Sequence, residues 1–533
     1  MDPHVTTNSF YLDVHLLPDS PCIDAGDSNY VQTGWTDIDG QPRIQGATVD
    51  IGADESDGSV FLITPRIIRV GPRGNDANDG STWAQSKRTV QAGINALSDT
   101  GGEIWVEAGT YTERITAGIF TYLYGGFNGT ETDRSQRNWN TNLTILDGAL
   151  GGTVVTLAYM GQWGGLDGFT VQHGRAAGAA GVYCTYSAPF VTHNNISFNY
   201  ATNSFTSAGG GMYFDFYSRP TITNNVIANN QAGEGGGIAC FLGPALIANN
   251  VFKNNFANGP GGGALFSHQG QLVIVNNFFT GNSATTPANT GANGNAIYCT
   301  GGTVLVANNT FLRNLNLTPG NYVGAAIYCE CPSPQIINNL VAFGSAGLTV
   351  ISAHPIIHNN CVYGNEILNY WSTPDQTGTN GNISTDPLLT GPYGDMHLLA
   401  GSPCIDAGDN SVVQSNWTDI DGNSRIFGAA VDIGADEYDG SIFSVPTRIF
   451  YVSPKGNDIN DGLSWAAAKQ TVHAGITAAA YDGGEVWVQA GTYLGDLLVE
   501  PFVYLFGGFA GMESARSQRN WLTNVTVLDG GLA

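Results

Sequence analysis

Chemistry in this chain of 533 residues has to come from few side chains, because only 12% of them are charged. Between residues 151 and 385 the acids are Asp167, Asp215, Glu234, Glu330, Glu366 and Asp375, and the Lys and Arg bases are Arg175, Arg219, Lys253 and Arg313. Eliminative cleavage of a uronate needs several Asp around Ca²⁺ and a Lys or Arg beside the α-carbon. Hydrolytic cleavage of a glycosidic bond needs two carboxylates roughly 5 to 9.5 Å apart. Six acids over this span are sparse for either reaction. Tyr217, Tyr370 and Trp371 are candidate sugar-stacking faces, with packing as the competing role. His193 and His358 each precede a pair of Asn, His173 and His268 are scattered, and His354 stands four residues before His358 with a Pro between them, a spacing from which no metal site is read.

The denser acids lie outside that span. Asp37-Ile-Asp-Gly40 and its copy Asp419-Ile-Asp-Gly422 place two carboxylates on one side of a short turn closed by Gly, which is how many Ca²⁺ loops begin. Asp50, Asp54 and Glu55, with copies Asp432, Asp436 and Glu437, are candidates to complete an oxygen shell. Ca²⁺ held by Asp37, Asp39 and Asp50, and by Asp419, Asp421 and Asp432, is therefore the one cofactor expectation. The competing reading is that Asp and Gly gather in turns for backbone reasons. Asp76-Ala-Asn-Asp-Gly80 and its copy Asp458-Ile-Asn-Asp-Gly462 read as a turn leading into a helix.

Two repeats organise these residues. The segment Ser20-Pro-Cys-Ile-Asp-Ala-Gly-Asp27 recurs at 402–409, and the 382-residue offset holds without a gap through Trp83 and Trp465 to Arg134–Trp139 and Arg516–Trp521. The chain thus holds one period and the beginning of a second, and is expected to be an excerpt of a longer array. Within the period, Asn pairs stand at 194/195, 224/225, 249/250, 276/277, 308/309, 338/339 and 359/360. Their spacing of 21 to 32 residues suits one coil of a parallel β-solenoid. Asn tolerates the left-handed backbone of a sharp turn, and stacked amides can bond from coil to coil, so Asn194, Asn195, Asn224, Asn225, Asn249, Asn250, Asn276, Asn277, Asn308, Asn309, Asn338, Asn339, Asn359 and Asn360 are expected to form a structural ladder. A second column, at 184, 214, 240, 266, 299 and 329, holds only Cys and Phe and should point inward. Cys299, Cys329 and Cys331 stand close enough in this scheme for one disulfide, while Cys22 and Cys404 should be buried singly.

The ends of a solenoid need covers. Val90, Ile94 and Leu97 fall on one helical face and predict a capping helix, followed by an alternating strand at 103–111. The expected organisation is a cap of a preceding repeat at 1–57, an N-terminal cap at 66–110, coils at 111–385, a C-terminal cap closing the far end at 386–440, and the next repeat from 446 to 533. The stretch from Ser444 to Arg448 is too poor in Gly and Ser for a long flexible linker.

Tyr451-Val-Ser-Pro-Lys-Gly-Asn-Asp-Ile-Asn-Asp-Gly462, with Trp465 and Val486-Trp-Val-Gln-Ala-Gly-Thr-Tyr493, resembles the opening segment of bacterial right-handed parallel β-helix proteins of the pectin-lyase-like superfamily. Ser402–Asp409, Asp419–Gly422, Arg425 and Asp432–Glu437 resemble the segment preceding a choice-of-anchor ending. The resemblance implies an all-β, right-handed parallel β-helix and an exported, cell-surface setting. It implies little about activity, since the fold carries lyases, hydrolases, esterases, adhesins and tailspikes. The Asn-Thr-Asp, Asp-Asp and Gly-His-Gly signatures of its hydrolases are absent from the coils.

Nineteen basic residues against 44 acidic ones exclude a basic face for nucleic acid. No uninterrupted apolar run is long enough for a spanning helix. The expected function is an exported structural or adhesive stalk without catalysis, its partners being neighbouring copies end to end. The alternative is a protein that binds or cleaves acidic surface polysaccharide.

Overall fold

A computed structural model describes the chain except residues 1–15, 17–19, 38–39, 54, 57–65, 98–100, 162–163, 203–207, 216, 260, 286–292, 317–323, 353, 391–395, 441–447, 483, 496, 498, 500–502 and 531–533. Asp39, much of the 1–57 cap and most of the 444–448 connection thus fall outside the described residues. The chain divides into two units, residues 1–273, 283–293 and 297–303, and residues 274–282, 294–296 and 304–533.

In the first unit, Ile67–Val70, Gly102–Glu107 and Thr121–Phe127 begin a parallel sheet in which Ile68, Ile104 and Leu123 stack inward. The first coil is covered by α1 (Val90–Leu97), which buries Val90, Ile94 and Leu97 as their spacing predicts. Its first amides are held by carboxylates from elsewhere. Asp76 accepts from the N–H groups of Arg88 and Thr89, and Glu113 accepts from those of Val90 and Gln91. Negative groups at a helix start are favoured by the dipole, and the Asp76 loop is indeed the turn into the helix.

Each later coil is four short strands. Val182–Ser187, Phe190–Thr192, Asn195–Ser197 and Tyr200–Ala201 lie in parallel register on Met212–Phe214, Thr221–Thr223, Val226–Ala228 and Gln231–Ala232. Alternation puts Cys184, Val191, Ile196 and Ala201 inside, and Phe214, Ile222, Ile227 and Ala232 inside one coil further on. Burying one such Val or Ile side chain stabilises by about 1.5–3 kcal/mol.

The inward column departs from the expected one at a single coil. Cys184 stacks on Phe214 and Phe214 on Cys240, but Cys240 stacks on Ser267 and Ser267 on Cys299. Phe266 pairs instead with Ala239 and Tyr298 and packs on the outer face with Tyr213 and Phe241. A slip of one residue reverses every side chain of a strand, and the Gly-rich run 261–263 hides that slip in the sequence. All eight cysteines are thiols, so the disulfide considered among Cys299, Cys329 and Cys331 is not formed, and only Cys22 is partly accessible.

The second unit repeats the scheme. Phe278–Thr280, Thr310–Leu312, Leu340–Ala342 and Cys361–Tyr363 stack in one parallel sheet. The 386–440 segment then runs back along the sides of these coils. The Asn338 amide donates to Asp409 O and its Oδ1 accepts from Asp409 N–H, Asn359 donates to Ala407 O, and Thr310 Oγ1 accepts from Ala435 N–H. Further on, Ile449–Val452, α2 (Val472–Asp482), Gly484–Gln489 and Val503–Phe509 start a coil again. Among the described residues no helix is long and apolar enough to cross a membrane.

Candidate functional site

The Asn residues divide two tasks that the sequence suggests they share, except that Asn338 Nδ2, from a turn position, also donates to Asn308 Oδ1 of the neighbouring coil at 2.9 Å. From Asn224 onward the first member of each pair, Asn224, Asn249, Asn276, Asn308, Asn338 and Asn359, takes the turn with φ between +52° and +57°. The second member is buried in the ladder. Asn225 donates to Val191 O, Thr223 O and Asn250 Oδ1, and its own Oδ1 accepts from Asn194 N–H and Nδ2. In the second unit the chain of amides runs Asn277, Asn309, Asn339, Asn360 and Asn382. The first pair is offset by one. His193 takes the positive φ, Asn194 the ladder, and Asn195 starts an outward, exposed strand position, which removes Asn195 from the ladder.

A second ladder stands five residues after the first. Asn199 donates to Asn230 Oδ1, Asn230 to Asn255 Oδ1, and Asn282 to Asn314 Oδ1. The signal was in the sequence, as an Asn five residues after Asn194, Asn225, Asn250, Asn277, Asn309 and Asn360, doubled by Asn229 and Asn254 in two of these coils. These amides satisfy inner-turn carbonyls and N–H groups that would otherwise be buried without partners.

Tyr217 is 71% exposed, stands at φ +72°, and stacks on Tyr186, which stacks on Tyr159 with centroids 5.4 and 5.6 Å apart. The three rings form an exposed aromatic file along one turn of successive coils. Tyr370 differs: it is in register with Leu348 and 7% exposed, so it has no face to offer a sugar. Trp371 packs on Ala325 and Ala346.

The coil acids have local partners. Asp167 binds Arg137 at 2.5 Å and His193 at 3.1 Å, and Trp139 lies 4.3 Å from the His193 ring. Asp215 accepts from Tyr183 Oη at 2.9 Å, Glu330 from Tyr328 Oη at 2.9 Å, and Asp375 from Thr377 N–H. Burial pushes Glu234 up to about 7. His173 and His358 face Asp147 and Asp409 at 2.9 and 3.7 Å.

In the C-terminal segment, acids surround Arg425, which is fully buried and bonds to Asp432 O and Gly434 O. Asp419 accepts from the N–H groups of Asp421 and Asn423, and Asp432 from those of Asp406 and Tyr438. Asp37 and Asp50 do the same for Gln41, and for Asp24 and Ser56. These four carboxylates therefore shape turns. Asp421 separates from them: its Oδ2 lies 2.7 Å from His397 Nε2, and Asp436 joins the pair, all three ligand atoms lying within 4.8 Å of one another. Burial raises Asp436 to about 6 and Glu437 to about 7. His397 escaped the sequence reading, although His15, Asp39 and Asp54 copy the three residues at the 382-residue offset.

The family model described as the right handed β-helix region matches residues 124–311. A comparison with curated proteins finds no match. Among solved structures, the chain is similar to pectate lyase Pel9A at 18% identity, covering 70% of this chain and 97% of that one with a TM-score of 0.42. It is also similar to a mutant of the PL6 family alginate lyase AlyGC at 12% identity, covering 83% and 63% with a TM-score of 0.26. The class of protein is thus a right-handed parallel β-helix, defined by its stacked parallel strands and by the matched region.

Proposed function

We propose that this chain belongs to an exported structural or adhesive protein of the bacterial cell surface, in which β-helix units follow one another as a rigid stalk or fibre without catalysis. The observation that carries this reading is the restart of the fold. Ile449–Val452, Gly484–Gln489 and Val503–Phe509 pair as Ile67–Val70, Gly102–Glu107 and Thr121–Phe127 do, down to the same register shift after Trp487 and Trp105. A unit copied with its cap in register supports an array of copies as neighbours, and the net charge of −25 favours a soluble, self-repelling surface.

A second reading, contact with an acidic or neutral polysaccharide, is favoured by the exposed file Tyr159–Tyr186–Tyr217. The chain incubated with a panel of such polysaccharides, with and without Ca²⁺, is expected to release neither unsaturated uronate nor new reducing ends. Release from any member overturns the non-catalytic reading. Retardation of the parent but not of Tyr186→Ala in affinity electrophoresis establishes the second.

A further inference from the structure

We propose that His397, Asp421 and Asp436 bind a divalent ion of the Zn²⁺ class, with the remaining coordination positions taken by water. One imidazole nitrogen and two carboxylate oxygens lie within 4.8 Å of one another, a small side-chain movement from the roughly 3.3–3.6 Å that two bonds of about 2.0–2.2 Å at a tetrahedral ion impose. The 2.7 Å between His397 Nε2 and Asp421 Oδ2 opens slightly when an ion enters.

Charge supplies the second argument. Asp419, Asp432, Asp436 and Glu437 are each at most 4% exposed, and Arg425, at 1%, is the buried guanidinium among them. Arg425 lies 3.8 Å from Glu437, while Asp436 also feels Asp419 and Asp421. Asp436 Oδ2 accepts only a backbone bond in this cluster, from Leu398 N–H at 2.8 Å. Several buried carboxylates around one guanidinium are costly unless protons or a further cation compensate them. A divalent ion between Asp421 and Asp436 does so without displacing the amide bonds of Asp419 and Asp432.

Repetition supplies the third. The two copies of this segment differ at Asp19 and Gly401, Gln41 and Asn423, and Gln45 and Phe427, yet His15, Asp39 and Asp54 reproduce the three residues. Imidazole selects Zn²⁺ and similar transition-metal ions over Ca²⁺, which prefers an all-oxygen shell. The metal moves accordingly from the Asp419 and Asp432 positions suggested by the sequence to the His397 side of the same segment.

The test uses the full chain, stripped with EDTA, dialysed and titrated with Co²⁺, whose visible d–d band reports coordination. The expected result is a saturable band abolished by Zn²⁺, a thermal midpoint raised by Zn²⁺, and one equivalent of Co²⁺ fewer in His397→Ala. Asp421→Asn, at a side chain 37% exposed, is the second variant and should lose the same equivalent with an unchanged circular dichroism spectrum. A parent without a band, an unaltered stoichiometry in Asp421→Asn, or stabilisation by Ca²⁺ but not by Zn²⁺ overturns the proposal.

Discussion

Truncating Asn225 to Ala should cost far more than truncating either of its Asn neighbours in sequence or type. The Asn225 side chain donates three hydrogen bonds, at 2.8, 2.9 and 3.0 Å, and accepts two, at 2.9 and 3.0 Å. Asn225→Ala leaves the Asn194 N–H buried without its acceptor and takes a donor from Val191 O and Thr223 O. One orphaned buried donor costs about 1–3 kcal/mol, and the lost bonds add about 1 kcal/mol each where their partners find no substitute. A local cost of about 3 kcal/mol follows, or roughly a hundredfold faster opening at about 1.4 kcal/mol per factor of ten. Asn224→Ala keeps every ladder bond and places a Cβ-bearing residue without a compensating side chain at φ +56°, for about 1 kcal/mol. Asn195→Ala, at an exposed strand position, should be near neutral. Native-state hydrogen exchange at the Asn194 amide, with thermal unfolding beside it, reads the series. If Asn225→Ala exchanges no faster than Asn195→Ala, the account of the ladder as a satisfier of buried backbone is refuted.

Three further outcomes follow from the same geometry. Because burial holds Glu234 up to about 7, the folded chain takes up a proton that the unfolded chain does not between about pH 4.5 and 7, so this residue stabilises below that window and its contribution is lost as pH rises through it. Glu234→Gln should remove that slope and raise stability at pH 8 by about 1 kcal/mol after solvent screening, measured by denaturant titration at pH 5 and pH 8; an unchanged slope contradicts the burial argument. In native buffer, a thiol reagent should label Cys22 slowly and leave the other seven cysteines untouched, since burial pushes Cys184, Cys240 and Cys331 up to about 12; rapid labelling of more than one thiol by mass spectrometry counts against the inward column. Ser267→Phe should destabilise by about 1–3 kcal/mol through overpacking between Cys240 and Cys299, whereas Phe266→Ser should mainly loosen the outer aromatic group; equal losses in thermal unfolding would reverse the register assigned here.

Periodicity made the coils legible in the sequence, because a parallel solenoid repeats one environment per coil and the Asn pairs mark it. Face assignment was less legible. At 261–266 the Gly run allows two alignments that differ by one residue, and only the pairing of Cys240 with Ser267 decides between them. The same ambiguity placed Asn195 in the ladder, where His193 had taken the turn that Asn takes in every later coil. The capping helix could be read from Val90, Ile94 and Leu97 alone, since its apolar face is local in sequence. The His397 cluster could not, because 397, 421 and 436 meet only after the segment folds back on itself, and a motif confined to neighbours such as Asp419-Ile-Asp421 contains neither His397 nor Asp436.

The scarcity of charge in the coils has a cause in the fold. Equivalent residues of successive coils stand about 4.8 Å apart, so a charge repeated from coil to coil would face its own sign, which is destabilising. Charged residues in the strands accordingly have neutral neighbours: Asp167 between Tyr124 and Thr192, Lys253 beside Ala228, and Arg175 beside Tyr200. The repeated columns are instead filled by Asn, Cys, Phe and Tyr, whose stacking is neutral or favourable, and acids collect in the caps, where no copy lies directly above. A catalytic constellation in such a fold must be assembled sideways, from different strands and loops of neighbouring coils, as Arg137, Asp167, Trp139 and His193 are gathered around one turn. In that group Asp167 is spent on an ion pair with Arg137 and a bond to His193, and the Arg137 guanidinium lies 4.7 Å from the Trp139 ring, so its charges are already matched to one another. The carboxylates of the His397 segment, by contrast, outnumber the buried guanidinium beside them, which leaves negative charge there for an ion from solution to compensate.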